Sequence, residues 1–570
     1  PKWPLQQYLR RRAEEALDTP VSAEKTLDWF ATEPPASGIG MLRYGEALIN
    51  QGRKAEGINW IKQAWTTGYF TNEVESDILV RHKGLLTRID HEKRLDHLLW
   101  ERNIGAATRL FPYVGSGAEK LAVARIRLMK NEGNVDSAVR AVPADLQNDP
   151  GLIFERAKWR RKQSLDKGSL ELLLQMDSAV PRADKWWRER HIQARNLLLK
   201  GQISDAYQLA SRHGLDQGAD FAAAEWLSGW IALRFQNDGK KALQHFLRLY
   251  ENVSYPISRA RAAYWIGRAQ ASLSDPDMAQ YWYKIAARDY TTYYGQMALH
   301  ELGQEDLPTI PKVTKPDDRE VKALGMTEQV TAVRNLAELD MPFWAKSFLL
   351  HMAETVTKEE SYVYLARLAT KIDRPDYAIA IAKRASQLGT DLTEINWPTP
   401  SLKKRHDPPI EPALTLAITR QESAFAADAV SGAGARGLMQ LMPATAEAVS
   451  RQLNVAYSKN RLTDDPVYNT QLGSSYLAGL IDEFEGSYVL AIAAYNAGPR
   501  NVRNWLRDSG DPRSDDIDVI DWIELIPFSE TRNYVQRVME NLQIYRQRLT
   551  PKQVSQLQIN RDINRGVVIQ

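Results

Sequence analysis

Apolar residues recur at helical spacing through the first 300 residues, and runs that alternate apolar with polar residues are few. Short turn signals interrupt this pattern, and each is followed by a small alanine, as in Gly201 with Ala206 and Gly239 with Ala242. A small residue at such a position lets two helices approach closely, as in arrays of two-helix repeats. The pattern therefore predicts an all-α chain that begins with a degenerate helical solenoid.

One helix pair of such an array cannot bury its apolar face alone, so we expect the pairs to stack into a curved superhelix. Two interpretations of this solenoid stay open at the level of the sequence. It binds a partner, or it supports a domain that follows it.

Two proline-rich breaks divide the chain. The first, 307–318, holds three prolines, a density that a helix interior does not tolerate. The second, 396–409, includes a basic triplet, and glycine becomes frequent after it. Because domain boundaries fall in such linkers, we predict a U-shaped helical domain over 1–311, a helical linker domain over 312–395 and a third domain over 396–570.

Composition and charge narrow the classes of function. With 44% hydrophobic and 25% charged residues, the chain has the mix of a globular protein. The 74 basic and 71 acidic residues give a net charge of +3, so we expect no dominant surface for nucleic acid. No apolar stretch is long enough to span a membrane.

Cysteine is absent, which excludes disulfides, zinc–thiolate sites, iron–sulfur clusters and cysteine nucleophiles. We predict no cofactor and no bound metal. The sequence begins with Pro1 instead of a methionine. Removal of a targeting peptide and trimming for expression both explain this start.

The most informative stretch begins with a predicted helix over 411–423, with Glu422 at its C-terminal end. The negative pole of the helix dipole and an apolar setting both disfavour the ionised form of a carboxyl placed there. Such a glutamate is a proton donor at neutral pH. A solvated surface glutamate without a role is the alternative.

Three glycines follow at 432, 434 and 437, a spacing that lets the backbone bend tightly. The segment lacks the Lys-Ser/Thr pair and the preceding strand of a phosphate-binding loop. Gln440 then places an amide between apolar neighbours, and Met442 either faces a ligand or packs in the core.

A later apolar run, 488–494, ends in Tyr495 and Asn496, just before a Gly-Pro helix stop. Side chains at this helix end can point into a cleft. The alternative for Tyr495 is a ring packed on its face, with the hydroxyl bonded to the backbone.

Four short segments together resemble one family, the soluble lytic transglycosylases, which are bacterial cell-wall enzymes with a lysozyme-like catalytic domain. They are Glu422-Ser423, Gly437-Leu438-Met439-Gln440, Ala494-Tyr495-Asn496-Ala497-Gly498, and Ile526-Pro527-Phe528-Ser529-Glu530-Thr531-Arg532 with Tyr534-Val535. The similarity covers about 400–570 closely. The preceding solenoid and linker segment resemble the ring-shaped larger members of the family.

The resemblance implies that Glu422 is the single catalytic acid and base. It also implies a set of residues that line the sugar cleft: Ser431, Gln440, Met442, Tyr495, Asn496 and Glu524. Glu530 is the alternative to Glu524 as the cleft carboxylate. For Ser423, Phe425 and Tyr534 we expect structural roles.

Ordinary glycosidases need two carboxylates, and Asp428 is the only other one near Glu422 in this stretch of sequence. The resemblance implies that Glu422 protonates the oxygen between N-acetylmuramic acid and N-acetylglucosamine, and that the acetamido oxygen stabilises the anomeric carbon. Glu422 then takes the C6 hydroxyl proton, which closes a 1,6-anhydro ring. Two alternatives are a lysozyme-like hydrolase and a non-enzymatic scaffold that binds glycan without cleaving it.

The resemblance further implies a monomer that works in the periplasm of a Gram-negative bacterium during cell-wall turnover and remodelling. Its expected partners are the glycan strands of peptidoglycan and, through the solenoid, other cell-wall enzymes. Association with the outer membrane is left open.

Overall fold

The computed structural model describes residues 3–17, 21–313, 317–400, 409–514, 516–550 and 556–566. The chain divides into two compact units, which are Pro1–Arg190 with Arg212–Gly214 and His191–Ser211 with Leu215–Gln570. In the described ranges the regular structure is helical, and three isolated β-bridges occur without any strand. The predicted all-α fold is confirmed.

The first unit is a succession of helices with short turns between them. Polar caps begin many of them: Thr87 and Asp90, for example, form a reciprocal capping box at the start of one helix. The helices are α1 Gln6–Glu15, α2 Ala23–Phe30, α3 Gly38–Asn50, α4 Lys54–Thr67, α5 Asn72–Arg81, α6 Arg88–Trp100, α7 Ile104–Arg109, α8 Ser116–Lys130, α9 Val135–Arg140, α10 Pro150–Lys162 and α11 Asp166–Gln175, and 3₁₀ turns occur at Phe111–Tyr113 and Ala144–Leu146.

Small residues allow neighbouring helices of this unit to pack closely. A Cβ atom added to Gly45 of α3 would lie 2.7 Å from the carbonyl oxygen of Gly57 in α4. No real Cβ reaches that distance, so the pair depends on glycine at this point. Around it, apolar side chains such as Trp65 and Leu98 form a buried core.

The second unit begins within α12 and continues the helical array. Ala206 and Ala242, which follow the predicted turns, are buried between helices, and so is Ala279. The helices are α12 Ala183–Leu199, α13 Ile203–Ser211, α14 Gly218–Arg234, α15 Gly239–Glu251, α16 Pro256–Ser272, α17 Pro276–Ala287 and α18 Tyr293–Glu301. Helix α18 also packs against a long helix near the C-terminus.

A third group of helices has an apolar core of its own. Val330, Leu349, Val363 and Ile381 are completely buried in it. The helices are α19 Asp318–Gly325, α20 Glu328–Glu338, α21 Pro342–Thr355, α22 Glu359–Lys371, α23 Pro375–Gln387 and α24 Thr393–Asn396. Such a core supports the linker domain that we predict over 312–395, although the three domain boundaries stay a prediction.

The C-terminal part of the second unit is built around one long helix, α32, which packs against α25, α29, α31 and α33. The helices are α25 Pro412–Ser423, α26 Pro443–Gln452, α27 Arg461–Asp464, α28 Pro466–Glu483, α29 Tyr488–Ala497, α30 Pro499–Ser509, α31 Val519–Leu525, α32 Ser529–Leu549 and α33 Ile559–Ile563. Within the two predicted breaks, residues 314–316 and 401–408, including the basic triplet, lie outside the described residues, as does Pro1. None of the helices in the described ranges is long and apolar enough to cross a bilayer.

Candidate active site

Helix α25 carries Glu422 at its penultimate position, as the sequence predicts. The helix ends because Ala424 and Phe425 both adopt left-handed backbone conformations, with φ of 49° and 69°. Arg420, one turn from the end, is buried and donates to the backbone oxygen and the side chain of Asn396 at 2.8 and 2.6 Å. These contacts fix the end of the helix that presents the carboxyl group.

The pKa of the Glu422 carboxyl is raised to about 7. Burial is the main cause, because a desolvated carboxylate is disfavoured relative to the neutral acid. The Tyr534 hydroxyl donates a 2.5 Å hydrogen bond to Glu422 Oε1 and opposes the rise, whereas the negative charge of Glu530 adds to it. The group is thus able to donate and to accept a proton near neutral pH.

Tyr534 is the residue whose part in the site the sequence analysis missed, since we expected only a structural role. Burial and the neighbouring Glu422 raise the pKa of its phenol well above 10, so the hydroxyl stays a donor. One signal was present in the sequence: Glu530 and Tyr534 are four residues apart, and helical residues at that spacing share a face. That face of α32 lies against the end of α25.

Tyr495, at the end of α29, lies near Glu422. Burial raises the pKa of its phenol well above 10, and the charge of Glu422 adds to the effect. Its hydroxyl donates to the backbone oxygen of Met439 at 2.8 Å. The hydroxyl is thus bonded to the backbone, as the alternative for Tyr495 states, and the residue lies near the candidate acid, while its place in a sugar cleft stays a prediction.

The glycine-rich segment folds into a compact turn that ends at Gln440. Gly437 needs its positive φ of 75°, and a Cβ there would lie 1.9 Å from the Leu462 carbonyl oxygen. Gln440 also has a positive φ, 47°, and its amide nitrogen donates to the carbonyl oxygens of Ala429 and Gly437 at 3.0 and 2.8 Å. The amide group of Gln440 thereby holds the turn in place.

Ser423 joins this turn to the end of α25. Its hydroxyl donates to the Leu438 carbonyl oxygen at 2.8 Å and accepts from the Phe425 N–H at 3.1 Å. The structural role expected for Ser423 agrees with these contacts. It couples the position of Glu422, one residue earlier, to that of the Gln440 turn.

Two further predicted cleft residues are accessible on the same turn region. Ser431 is exposed, and its hydroxyl accepts a hydrogen bond from the Ala435 N–H at 3.0 Å. Met442 is 44% exposed, immediately before Pro443 begins α26. An exposed methionine at this place is available to a ligand, and the alternative of a core position for Met442 is wrong.

Asn496 borders an open cavity of about 540 Å³, which is also lined by Pro527, Phe528 and Glu530. Its side-chain oxygen accepts a 2.6 Å hydrogen bond from the Thr531 hydroxyl. This bond links the end of α29 to the first turn of α32. Glu530 is thus the carboxylate of the Ile526–Arg532 motif that lines a cavity.

Glu524 does not reach the cleft, and the prediction that it lines the sugar site is wrong. Its side chain has no solvent exposure. The Arg261 guanidinium donates to both carboxyl oxygens at 2.9 Å, Gln536 donates at 2.8 Å, and the Tyr294 hydroxyl also donates to it. Arg532 forms an ion pair with it at 3.5 Å.

This environment explains why Glu524 is ionised although it is buried. Burial alone would raise its pKa, but the charges of Arg261 and Arg532 lower the pKa below its usual value. Arg195 also donates to its backbone oxygen at 2.7 Å. Through these hydrogen bonds Glu524 connects the C-terminal helices to α12, α16 and α18 of the helical array.

The remaining carboxylate near Glu422 in sequence, Asp428, faces solvent. Its side chain is 69% exposed, and it pairs with the Arg374 guanidinium at 2.9 Å. Asp428 is thus engaged with the linker segment. Among the residues that the structure describes, no cluster of three or more histidine, aspartate or glutamate side chains could hold a metal ion.

Two models of known protein families match the C-terminal part of this chain. Residues 400–517 match the family model "Transglycosylase SLT domain", and residues 525–553 match "Soluble lytic transglycosylase helical domain". The C-terminal part of this chain is a transglycosylase SLT domain. The resemblance to the soluble lytic transglycosylases is thereby confirmed.

Two curated relatives of this chain are named as soluble lytic murein transglycosylases, one of them as putative. The chain is 33% identical to Soluble lytic murein transglycosylase of Escherichia coli K12 over 259 residues, which is 45% of this chain and 39% of the relative. It is 38% identical to Putative soluble lytic murein transglycosylase of Haemophilus influenzae over 156 residues, 27% of this chain and 26% of the relative. These matches thus span about two fifths of the relatives' length or less.

Solved structures share the fold along nearly the whole chain. An inactive mutant of lytic transglycosylase Slt from Pseudomonas aeruginosa is similar with a TM-score of 0.72 and 24% identity, over 97% of this chain and 88% of that one. The 70 kDa soluble lytic transglycosylase from Escherichia coli gives a TM-score of 0.65 and 23% identity, over 96% and 87%. The likeness in fold thus extends to the helices that precede the SLT domain.

Proposed function

We propose that this protein is a lytic transglycosylase that cleaves the β-1,4 bond between N-acetylmuramic acid and N-acetylglucosamine in peptidoglycan. The observation that carries the proposal is Glu422, a half-buried carboxyl with a pKa of about 7 at the end of α25, inside the SLT domain. Its expected first step is to protonate the glycosidic oxygen, which a carboxyl of ordinary pKa would do poorly at neutral pH.

In the second step Glu422, now ionised, accepts the proton of the C6 hydroxyl, and the sugar closes into a 1,6-anhydro ring. The Tyr534 hydroxyl donates to Glu422 and stabilises this ionised form. One carboxyl thus acts first as acid and then as base. We propose that Ser431, Gln440, Met442, Tyr495 and Asn496 contact the sugars on either side of it.

A lysozyme-like hydrolase is the second candidate, and one observation favours it. The charge of Glu530 acts on Glu422, so a second carboxylate lies near the acid. A hydrolase that uses two carboxylates needs such a group to activate water or to attack the sugar. The chemical form of the product separates the two candidates.

The names of the relatives support the choice of substrate, since they refer to murein. A neighbour in structure is an inactive mutant in which glutamine replaces a glutamate. We further propose that this chain acts as a monomer in the periplasm of a Gram-negative bacterium, on glycan strands and in contact with other cell-wall enzymes.

Digestion of purified peptidoglycan tests the proposal. The wild-type chain is expected to release soluble sugar–peptide fragments, and Glu422→Gln is expected to release less than a few per cent as much. Asp428→Asn is the matched control, because this carboxylate is exposed and paired with Arg374, and it should keep most of the activity. Wild-type release by Glu422→Gln, or no release by the wild type, would overturn the proposal.

A further inference from the structure

Helices α19, α20 and α22 of the linker segment enclose a groove of about 870 Å³. Cavities that bind drug-sized ligands have volumes of about 300–1,000 Å³. Leu368 is buried in the floor of the groove, which Val321, Ile372 and Tyr364 extend, and Met326 at its edge is 82% exposed. The groove is thus large enough for a short peptide and has an apolar floor.

The charges around this floor are strongly unbalanced. Lys322, Arg334, Arg367 and Lys371 line the groove and are exposed, whereas Glu338 is the one acidic side chain in the lining. None of the four cations forms an ion pair with a residue that the structure describes. Such a surface complements a ligand that is anionic and partly apolar.

A residue just beyond the groove also contacts the SLT domain. Lys371 ends α22, and Arg374, three residues later, donates to Asp428 Oδ2 at 2.9 Å. Asp428 follows Glu422 by six residues, on the turn that continues to Ser431. The chain that follows groove helix α22 is therefore tied to the segment that follows the candidate acid in sequence.

We propose that this groove binds the anionic stem peptide of the peptidoglycan strand on which Glu422 acts. The inference rests on the proposed function, because it takes that substrate as given. A stem peptide combines small apolar side chains with free carboxylates, which match the floor and the cations. It is attached to the muramic acid sugars, so sugars next to the cleft carry such peptides along the strand.

Binding to the peptide alone is the first test. The full chain carrying Glu422→Gln is titrated with a synthetic stem tetrapeptide that has free carboxylates, and with the same peptide amidated. We expect the anionic peptide to bind, and Arg367→Glu with Lys371→Glu to weaken that binding roughly tenfold. Higher salt should weaken it as well, because exposed charges are screened.

Lys120→Glu with Arg140→Glu is the matched control, since both side chains are exposed and lie outside the groove. Ala337→Trp is a second variant, which fills the groove without a change of charge and should also weaken binding. Equal binding of the amidated peptide, an equal effect of the control pair, or no binding of the anionic peptide would overturn the proposal.

Turnover separates this inference from the proposed function. On peptidoglycan that carries its peptides, Arg367→Glu with Lys371→Glu should slow release several-fold, whereas on glycan strands stripped by an amidase it should match the wild type. An equal loss on both substrates would overturn the groove proposal. No cleavage of either substrate by the wild type would overturn the proposed function, while peptide binding by the Glu422→Gln chain still reports on the groove.

Discussion

The Tyr534 hydroxyl donates a 2.5 Å hydrogen bond to Glu422 Oε1, and this bond works against the burial that raises the pKa of the acid. Glu422 needs its proton in the first step and must lose it to act as a base in the second. A carboxyl whose pKa is about 7 can exist in both forms near neutral pH. Burial, Glu530 and Tyr534 together set this balance.

The pH dependence of activity should follow the protonation of Glu422. Because its pKa is raised from 4.5 to about 7, the acid form persists through the weakly acidic range and is lost above neutrality. We expect kcat/KM to fall about tenfold for each pH unit above 7. A profile on purified glycan strands that begins to fall near pH 5 would contradict this assignment.

Tyr534→Phe should shift the fall in activity above pH 7, which is the alkaline limb of the pH–rate profile, to higher pH. The hydroxyl stabilises the ionised carboxylate, so its loss raises the pKa of Glu422 further. Activity at pH 6 should also fall, by roughly tenfold, because proton donation in the first step then leaves a carboxylate that lacks this hydrogen bond. The pH–rate profiles of the two proteins, measured side by side, check both effects. An unchanged limb would mean that the hydrogen bond does not act on the acid.

Substitution of Glu524 should affect mainly the stability of the fold, whereas substitution of Glu530 should affect mainly the pH dependence of activity. Glu524→Gln leaves the half-buried Arg261 and the buried Arg532 without their counter-charge, which should lower the free energy of unfolding by about 3–5 kcal/mol. Glu530→Gln should cost less than about 0.5 kcal/mol, yet move the alkaline limb to lower pH, because the charge that raises the pKa of Glu422 is gone. Urea unfolding and pH profiles of both full-length variants distinguish these roles.

The raised pKa also predicts that the candidate acid reduces stability. The folded chain holds the Glu422 proton more tightly than the unfolded chain, so this group destabilises the fold increasingly as pH rises from 4.5 to 7. Glu422→Gln should therefore be more stable than the wild type at pH 8, by about 1–3 kcal/mol, and nearly equal to it at pH 4. Unfolding curves at the two pH values measure the difference. A less stable variant at pH 8 would contradict a carboxylate that burial destabilises.

How much the sequence could predict depended on the distance along the chain between interacting residues. The helical array, the end of α25 at Glu422 and the glycine-rich turn rest on local patterns, and the structure contains them where they were expected. The hydrogen bond of Tyr534 joins residues 112 positions apart, and Arg195 meets the Glu524 backbone across 329. No periodicity or spacing in a single sequence reports such pairs.

Glu524 and Glu530 illustrate the same limit. They lie six residues apart, Glu530 inside the motif and Glu524 two residues before it, and no local pattern separates a carboxylate that lines a cavity from one that neutralises arginines. Two of the arginines that contact Glu524, Arg261 and Arg195, belong to the helical array, far from the motif in sequence. Only the three-dimensional contacts assign Glu524 to the buried network and Glu530 to the cavity.

The chemical form of the new chain end tests most directly whether this chain is a lytic transglycosylase. Purified peptidoglycan is digested in ¹⁸O-water by the full chain, and the released fragments are analysed by mass spectrometry. The C6 hydroxyl has an effective concentration on the order of 10⁵ M when it is well oriented, so it should outcompete water. We predict unlabelled 1,6-anhydromuramyl ends, lighter than hydrolytic ends by one water molecule. Reducing ends that carry ¹⁸O from the cleavage step would contradict the account and make the protein a hydrolase.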